Sequence, residues 1–189
     1  MLTPTITIIV VVLGIALIGL ISVALLFNGM VKHRNRVSEA WSGIDVQLKR
    51  RHNLVPNLVE VVKTFQIHER ETLGKVAEAR RAAAAANGPA DAGIPERDVT
   101  AGLRKLFALS EKYPELKSDR NFRQLSDQLV EIEDQIQFAR RYYNGSVRDY
   151  NTIIESFPAN LLAGPLQFQR GDFFELETST EGQAPQVSL

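Results

Sequence analysis

Apolar side chains recur at steps of three and four through the stretch from Asn35 to Glu69: Val37, Trp41, Ile44, Leu48, Val55, Leu58, Val62 and Phe65 follow one another, and Arg51 fills the one missing place. This is a heptad stripe on a helix. Each Leu, Ile or Phe in it gains roughly 1.5–3 kcal/mol from leaving water, so the helix requires a partner. A second stripe supplies one. Phe122, Leu125, Leu129, Ile132, Ile136, Ala139, Tyr143, Ser146, Tyr150, Ile153 and Phe157 keep the same spacing. Placing Phe157 opposite Trp41 in an antiparallel pair matches residues whose numbers sum to about 198. Ile44 then faces Ile154, Leu48 faces Tyr150, Val55 faces Tyr143, Val62 faces Ile136 and Val76 faces Phe122, while Arg51 and Ser146 share a polar layer. Such a layer fixes register if Arg51 finds a carboxylate or hydroxyl; otherwise Arg51 snorkels to the surface.

Punctuation sets the remaining elements. The first helical pattern runs from about Val31 to the Ala82–Ala86 tract and stops at Asn87-Gly88-Pro89. Pro56 inside it either kinks the helix near Arg51–Val55 or starts a new one. Asn87 to Asp98, rich in Gly, Ala, Pro and Asp, reads as a connecting loop. A short helix from about Pro95 to Lys112 follows and ends at Tyr113-Pro114. Ser118 or Asp119 caps the second long helix, and Pro158 closes it. Beyond Pro158 there is room for one helical turn, after which Leu166, Phe168, Phe173 and Phe174 are too apolar for a free tail and should fold back. Glu175 to Leu189 is polar and patternless, as a disordered tail is.

Ahead of the stripes, Ile6 to Phe27 carries no charge. Roughly 20 such residues cross the hydrocarbon core. Met1–Thr5 lacks the basic residues of a secretory signal, the apolar run is too long, and Phe27-Asn28-Gly29-Met30 is a poor cleavage site, so an uncleaved anchor is expected. Lys32, Arg34 and Arg36 follow the span directly and place the carboxyl-terminal body in the cytoplasm.

Among 189 residues, 22 basic and 22 acidic side chains balance, which removes the field a nucleic-acid binder needs. With no cysteine there is no disulfide, thiolate nucleophile or thiolate metal site, nor a lipid-modified amino-terminal cysteine. His68-Glu69 begins like a zincin helix, but Thr72 stands where the second histidine would be. A di-iron bundle requires Glu-x-x-His pairs, and none occurs. Asp127, Glu131, Glu133 and Asp134, with Arg80, Arg81, Arg140 and Arg141, read as solvated faces. Ser42 and Ser146 have no histidine in register to activate them. No metal, cofactor or catalytic residue is expected, and an enzyme is disfavoured.

Several segments together resemble the LemA family. They are Arg34-Asn35-Arg36-Val37 through Ala40-Trp41-Ser42-Gly43-Ile44-Asp45 to Arg51, and Leu54-Val55-Pro56-Asn57-Leu58-Val59. His68-Glu69, Ala79-Arg80, Tyr113-Pro114-Glu115-Leu116-Lys117, Arg141-Tyr142-Tyr143-Asn144, Tyr150-Asn151 and Phe157-Pro158 follow in the family's order. The resemblance implies a bacterial single-pass membrane protein with no established enzymatic activity or cofactor, in a family tied to magnetosome membrane formation and to the genomic company of membrane proteases.

The expected fold class is all-α: an amino-terminal transmembrane helix (segment 1–30), an elongated antiparallel, up-and-down four-helix-type bundle (31–174) and a tail (175–189). The expected role is a scaffold at the bacterial inner membrane that self-associates through its bundle, with its amino terminus outside. A regulatory or adaptor subunit for a membrane protease or envelope-stress system is the alternative. Expected partners are the lipid bilayer, further copies of the chain and a membrane protein, without nucleic acid. Candidate interaction or register residues are Trp41, Asp45, Arg50, Arg51, Asn57, Glu60, Asn144 and Ser146.

Overall fold

The computed structural model describes residues 2–65 and 69–175, with side chains from Ile6 onward. The expected disordered tail, beyond Glu175, and the zincin-like His68 lie outside the described residues. The elements are α1 (Leu2–Thr64), α2 (Arg70–Ala85), α3 (Pro89–Ser110), α4 (Pro114–Ser118), α5 (Arg120–Glu155) and α6 (Asn160–Ala163), with no strand among the described residues. The all-α expectation holds. The chain divides into two compact units, one of Met1–Glu39 with Gly145–Gly171 and one of Ala40–Asn144 with Asp172–Leu189. Both α1 and α5 contribute to each.

In the second unit, contacts between distant residues fix an up-and-down order. Arg80 donates from Nε to the His52 carbonyl at 3.1 Å. On one unbroken helix those 28 positions would span about 42 Å, so α2 must double back along α1. The helix expected to continue to Ala86 therefore ends at Thr64, and its last apolar positions, Leu73, Val76 and Ala83, are buried from the far side of a hairpin. Pro56 does not break α1, which stays helical through it. The next reversal lies at Asn87-Gly88-Pro89. Gly88 has φ +83°, a conformation that glycine adopts freely, and Pro89 takes the first helical position, where its missing N–H costs nothing.

Helix α3 thus starts at Pro89, and the segment read as a loop is helical from there on, with Pro95 inside it. Burial of Ala92, Glu96, Val99 and Leu103 on the core side outweighs the one backbone hydrogen bond that Pro95 removes. Contact is close: a Cβ added at Gly102 would stand 2.7 Å from Val76 Cγ2. Asp119 caps α5, its Oδ1 accepting the Phe122 N–H at 2.8 Å. Val55, Leu58, Val62, Val76, Val99, Leu106, Leu116, Phe122 and Leu129 make one core.

The pairing of α1 with α5 is antiparallel, but not in the expected register. Trp41 packs edge-on to Tyr143 with ring centroids 5.5 Å apart, and Arg51 pairs with Glu133 at 2.7 Å. Both pairs sum to 184 rather than 198. The offset of 14 residues is two whole heptads, so each stripe still meets a stripe.

In the first unit, the residues of α1 from Ile6 to Leu25 are exposed. Ile9, Leu13, Leu17 and Leu20 are 55, 63, 59 and 69% exposed. Immediately after them Met30 is buried with Tyr150, Ile154, Ala159, Ala163 and Phe168, flanked by Leu26, Val31 and Leu162. The fold-back expected of the segment after Pro158 is present for Phe168 here and for Phe174 in the second unit, both buried, whereas Leu166 and Phe173 stay substantially exposed.

Candidate functional site

Arg51 is the largest fully buried side chain among the described residues. Its guanidinium ion-pairs with Glu96 of α3, donates to the Glu96 carbonyl at 3.3 Å and to Thr100 Oγ1 at 2.8 Å, and reaches Glu133 of α5 at 2.7 Å. Thr100 in turn donates to Glu133 at 3.3 Å, and Gln137 Nε2 holds the other Glu133 oxygen at 3.2 Å. His52 Nε2 stands 2.8 Å from Glu96 Oε1, within ion-pair distance but without hydrogen-bond alignment. Burial pushes the Glu96 carboxyl up, but His52 and Arg51 together outweigh it and hold the group below its ordinary value of 4.5. The Glu96 carboxylate is therefore ionised near neutral pH. Three helices meet through this one layer, which carries a cation, two carboxylates, an imidazole and the Thr100 hydroxyl.

A second polar device holds the chain after α6 against α5. In the second unit Tyr143 donates its hydroxyl to the Asp172 carbonyl at 2.7 Å. Next to it Asn144 holds Phe174 on both sides, Nδ2 donating to its carbonyl at 3.1 Å and Oδ1 accepting its N–H at 2.9 Å. Burial, with Asp172 nearby, pushes the Tyr143 hydroxyl up to about 12, so it remains a donor. In the first unit Tyr150 donates to the Gln169 carbonyl at 2.8 Å, and Asn151 holds Gly171 with bonds of 3.1 and 2.8 Å. Each unit thus holds the returning chain by a Tyr-Asn pair of α5.

Of the candidate residues, Arg51 has the carboxylate partners a seam arginine requires, and the surface alternative is excluded by its burial. Asn144 clasps the returning chain, and Trp41 packs on Tyr143 and on Phe174, at 5.4 Å. Ser146 is buried. Asp45, Arg50 and Glu60 lie on the surface in local contacts, with Lys49, Gln47 and Lys63 respectively, and Asn57 is exposed. Glu96, His52 and Thr100 were not expected, and Glu133, read as part of a solvated face, belongs to the buried layer. Heptad position could have found Glu133, which stands one residue after Ile132 on the inner stripe.

The same unit carries exposed apolar side chains. Phe138 and Tyr142, one turn apart on α5, are 62 and 57% exposed, and Val46, at the same level of α1 by the observed register, is 54% exposed. Arg141 lies 4.6 Å over the Phe138 ring.

The sequence profile described as the LemA family matches residues 40–189. Magnetosome protein MamQ 2 of Paramagnetospirillum magneticum is 25% identical, over 79% of this chain and 64% of its own length. Magnetosome protein MamQ of Magnetospirillum gryphiswaldense is 24% identical, over 85% of this chain and 69% of its own. Protein LemA of Metamycoplasma hominis is 24% identical, over 78% and 68%. The chain thus spans under two thirds of the length of the first of these relatives.

Proposed function

Since the chain belongs to the LemA family and is a membrane-associated protein, we propose that it works as a non-enzymatic scaffold, tethered by α1 and assembling with further copies of itself through its bundle. The observation that carries this reading is the exposed apolar pair Val46 and Phe138, at one level of α1 and α5. Large apolar side chains exposed on a bundle that already has its core cost solubility, and a second copy covers them. Arg141, stacked on Phe138, supplies a charged rim of the kind that surrounds such contacts. The magnetosome relatives support a membrane setting. Ile6–Phe27 then crosses the bacterial inner membrane, with the amino terminus outside and Lys32, Arg34 and Arg36 holding the bundle on the cytoplasmic side. No metal, cofactor or nucleic acid takes part in this role.

Particle size tests it. Full-length protein extracted in mild detergent should form assemblies of many copies by mass measurement and imaging, and Phe138→Glu with Val46→Glu should reduce them to single chains without unfolding the bundle. A wild-type protein that is a lone monomer or dimer refutes the scaffold and turns the search to a membrane-protease partner.

A further inference from the structure

We propose that the turn following α5 is a second membrane contact, with Phe157, Leu161 and Leu166 seated among lipid headgroups and upper acyl chains beside the anchor helix. The inference rests on Ile6–Phe27 crossing the bilayer, and it adds a surface that an anchor alone does not need.

Depth is the first argument. The turn is locked to α1 where the uncharged stretch ends: Phe168 meets Phe27 edge-on with centroids 5.8 Å apart, and Ala159 and Ala163 bury Met30 together with Ile154. Whatever depth Phe27 reaches, this turn reaches with it. Exposure is the second. Phe157 is 80% exposed, Leu161 65% and Leu166 41%, while the other face of the same short segment, Ala159, Ala163 and Phe168, is buried. The turn is therefore amphipathic, with its outward side carrying large apolar groups where water would meet them.

Polarity agrees. From Ser156 to Gln169 there is no charged residue, and Glu155 and Arg170, which bracket the stretch, pair with each other at 3.1 Å. Seven of the turn's backbone N–H groups are paired within it. The N–H groups of Asn160, Leu161, Leu162 and Ala163 reach the carbonyls of Ser156, Pro158 and Ala159 at 2.9–3.2 Å, and those of Leu166, Gln167 and Phe168 reach Leu162, Gly164 and Ala163 at 2.9–3.0 Å. Pro158 and Pro165 have no N–H to satisfy. Low-polarity surroundings demand that backbone groups be paired in this way. Cations complete the surface: Arg34 lies 5.1 Å over the Phe168 ring, and Lys32 and Arg36 are its near neighbours on α1, at the level where phosphates stand.

The chain has no cysteine, so single labels are straightforward to place. Full-length Leu161→Cys and Leu166→Cys, each carrying an environment-sensitive fluorophore, are reconstituted into vesicles of phosphatidylcholine and phosphatidylglycerol. Leu17→Cys marks the span, and Val130→Cys, an exposed site on α5 in the other unit, marks water. Spin-labelled lipid should quench the labels at 161 and 166 severalfold more than at 130, and aqueous iodide severalfold less. Iodide quenching at 161 and 166 equal to that at 130 overturns the proposal. Protection from both quenchers also overturns it, in favour of cover by a second copy. Failure of spin-labelled lipid to quench at Leu17 would show that the span itself is absent, a different failure from a turn that stays in water beside a quenched span.

Discussion

Replacing Arg51 by Met isolates what the buried layer contributes. The change removes the ion pair to Glu96, the 2.7 Å contact to Glu133 and the 2.8 Å bond to Thr100 at once. Glu133 keeps water, since its side chain is 26% exposed, but Glu96 is 1% exposed and retains only His52. An uncompensated buried charge of this kind costs about 3–5 kcal/mol. For a chain of this size each kcal/mol moves the melting temperature by roughly 2–4 °C, so Arg51→Met should melt roughly 6–20 °C below wild type. The double variant Arg51→Met with Glu96→Met makes the layer apolar and should recover most of the loss, because replacing both members of a buried pair is often neutral or stabilising by about 1–4 kcal/mol. Trp41 is the sole tryptophan, and its ring packs on Tyr143 and Phe174, so its fluorescence reports the unfolding of this unit in detergent. A single variant within about 2 °C of wild type, less than 1 kcal/mol on that scale, would refute the reasoning. So would a double variant no better than the single.

Two further outcomes follow from the same contacts. Glu96 has its folded value held below 4.5 by His52 and Arg51 against burial, so its contribution is fully present above 4.5 and is lost as pH falls through the lowered value; melting of the wild type should drop at acid pH more steeply than that of Glu96→Gln, and parallel curves would contradict this. Asn144→Ala removes both bonds to Phe174 and leaves its N–H without the 2.9 Å acceptor; at about 1–3 kcal/mol, amide exchange at Phe174 should quicken roughly 10- to 100-fold while Val99 in the core is unaffected.

The two heptad stripes were legible because burial imposes their period, and so was the apolar span; the second stripe stops short of the expected Phe157, since α5 ends at Glu155 and Phe157 is exposed. The hairpin between α1 and α2 was not. No glycine or proline lies between Thr64 and Glu69, and the apolar positions resume in α2 with nothing local to mark the reversal. Helix α3 was half hidden for the opposite reason. Gly88, Pro89, Gly93 and Pro95 together look like a loop, yet Pro89 sits where a helix begins and Gly93 lies where the chain passes so close that an added Cβ would collide with the Glu175 carbonyl oxygen. Glu96 fell where that loop overlapped the helix expected from about Pro95, so its place on the core side, beside Arg51, did not show.

Register shows why the charged layer is worth its cost. A period of seven cannot distinguish a pairing that sums to 184 from one that sums to 198, since both bring stripe onto stripe. Hydrophobic burial alone leaves both alignments close in energy. Arg51 separates them. In the observed alignment it meets Glu133, and in the other it would be buried opposite Ser146, whose hydroxyl cannot neutralise it. The difference between a paired and an unpaired buried guanidinium, about 3–5 kcal/mol, exceeds what any single apolar contact in the seam could offset. The polar place in the stripe therefore selects among alignments that the apolar places permit. Making it apolar in the double variant should recover most of the stability that Arg51→Met loses and yet loosen register, a pairing of effects that a merely stabilising salt bridge would not produce.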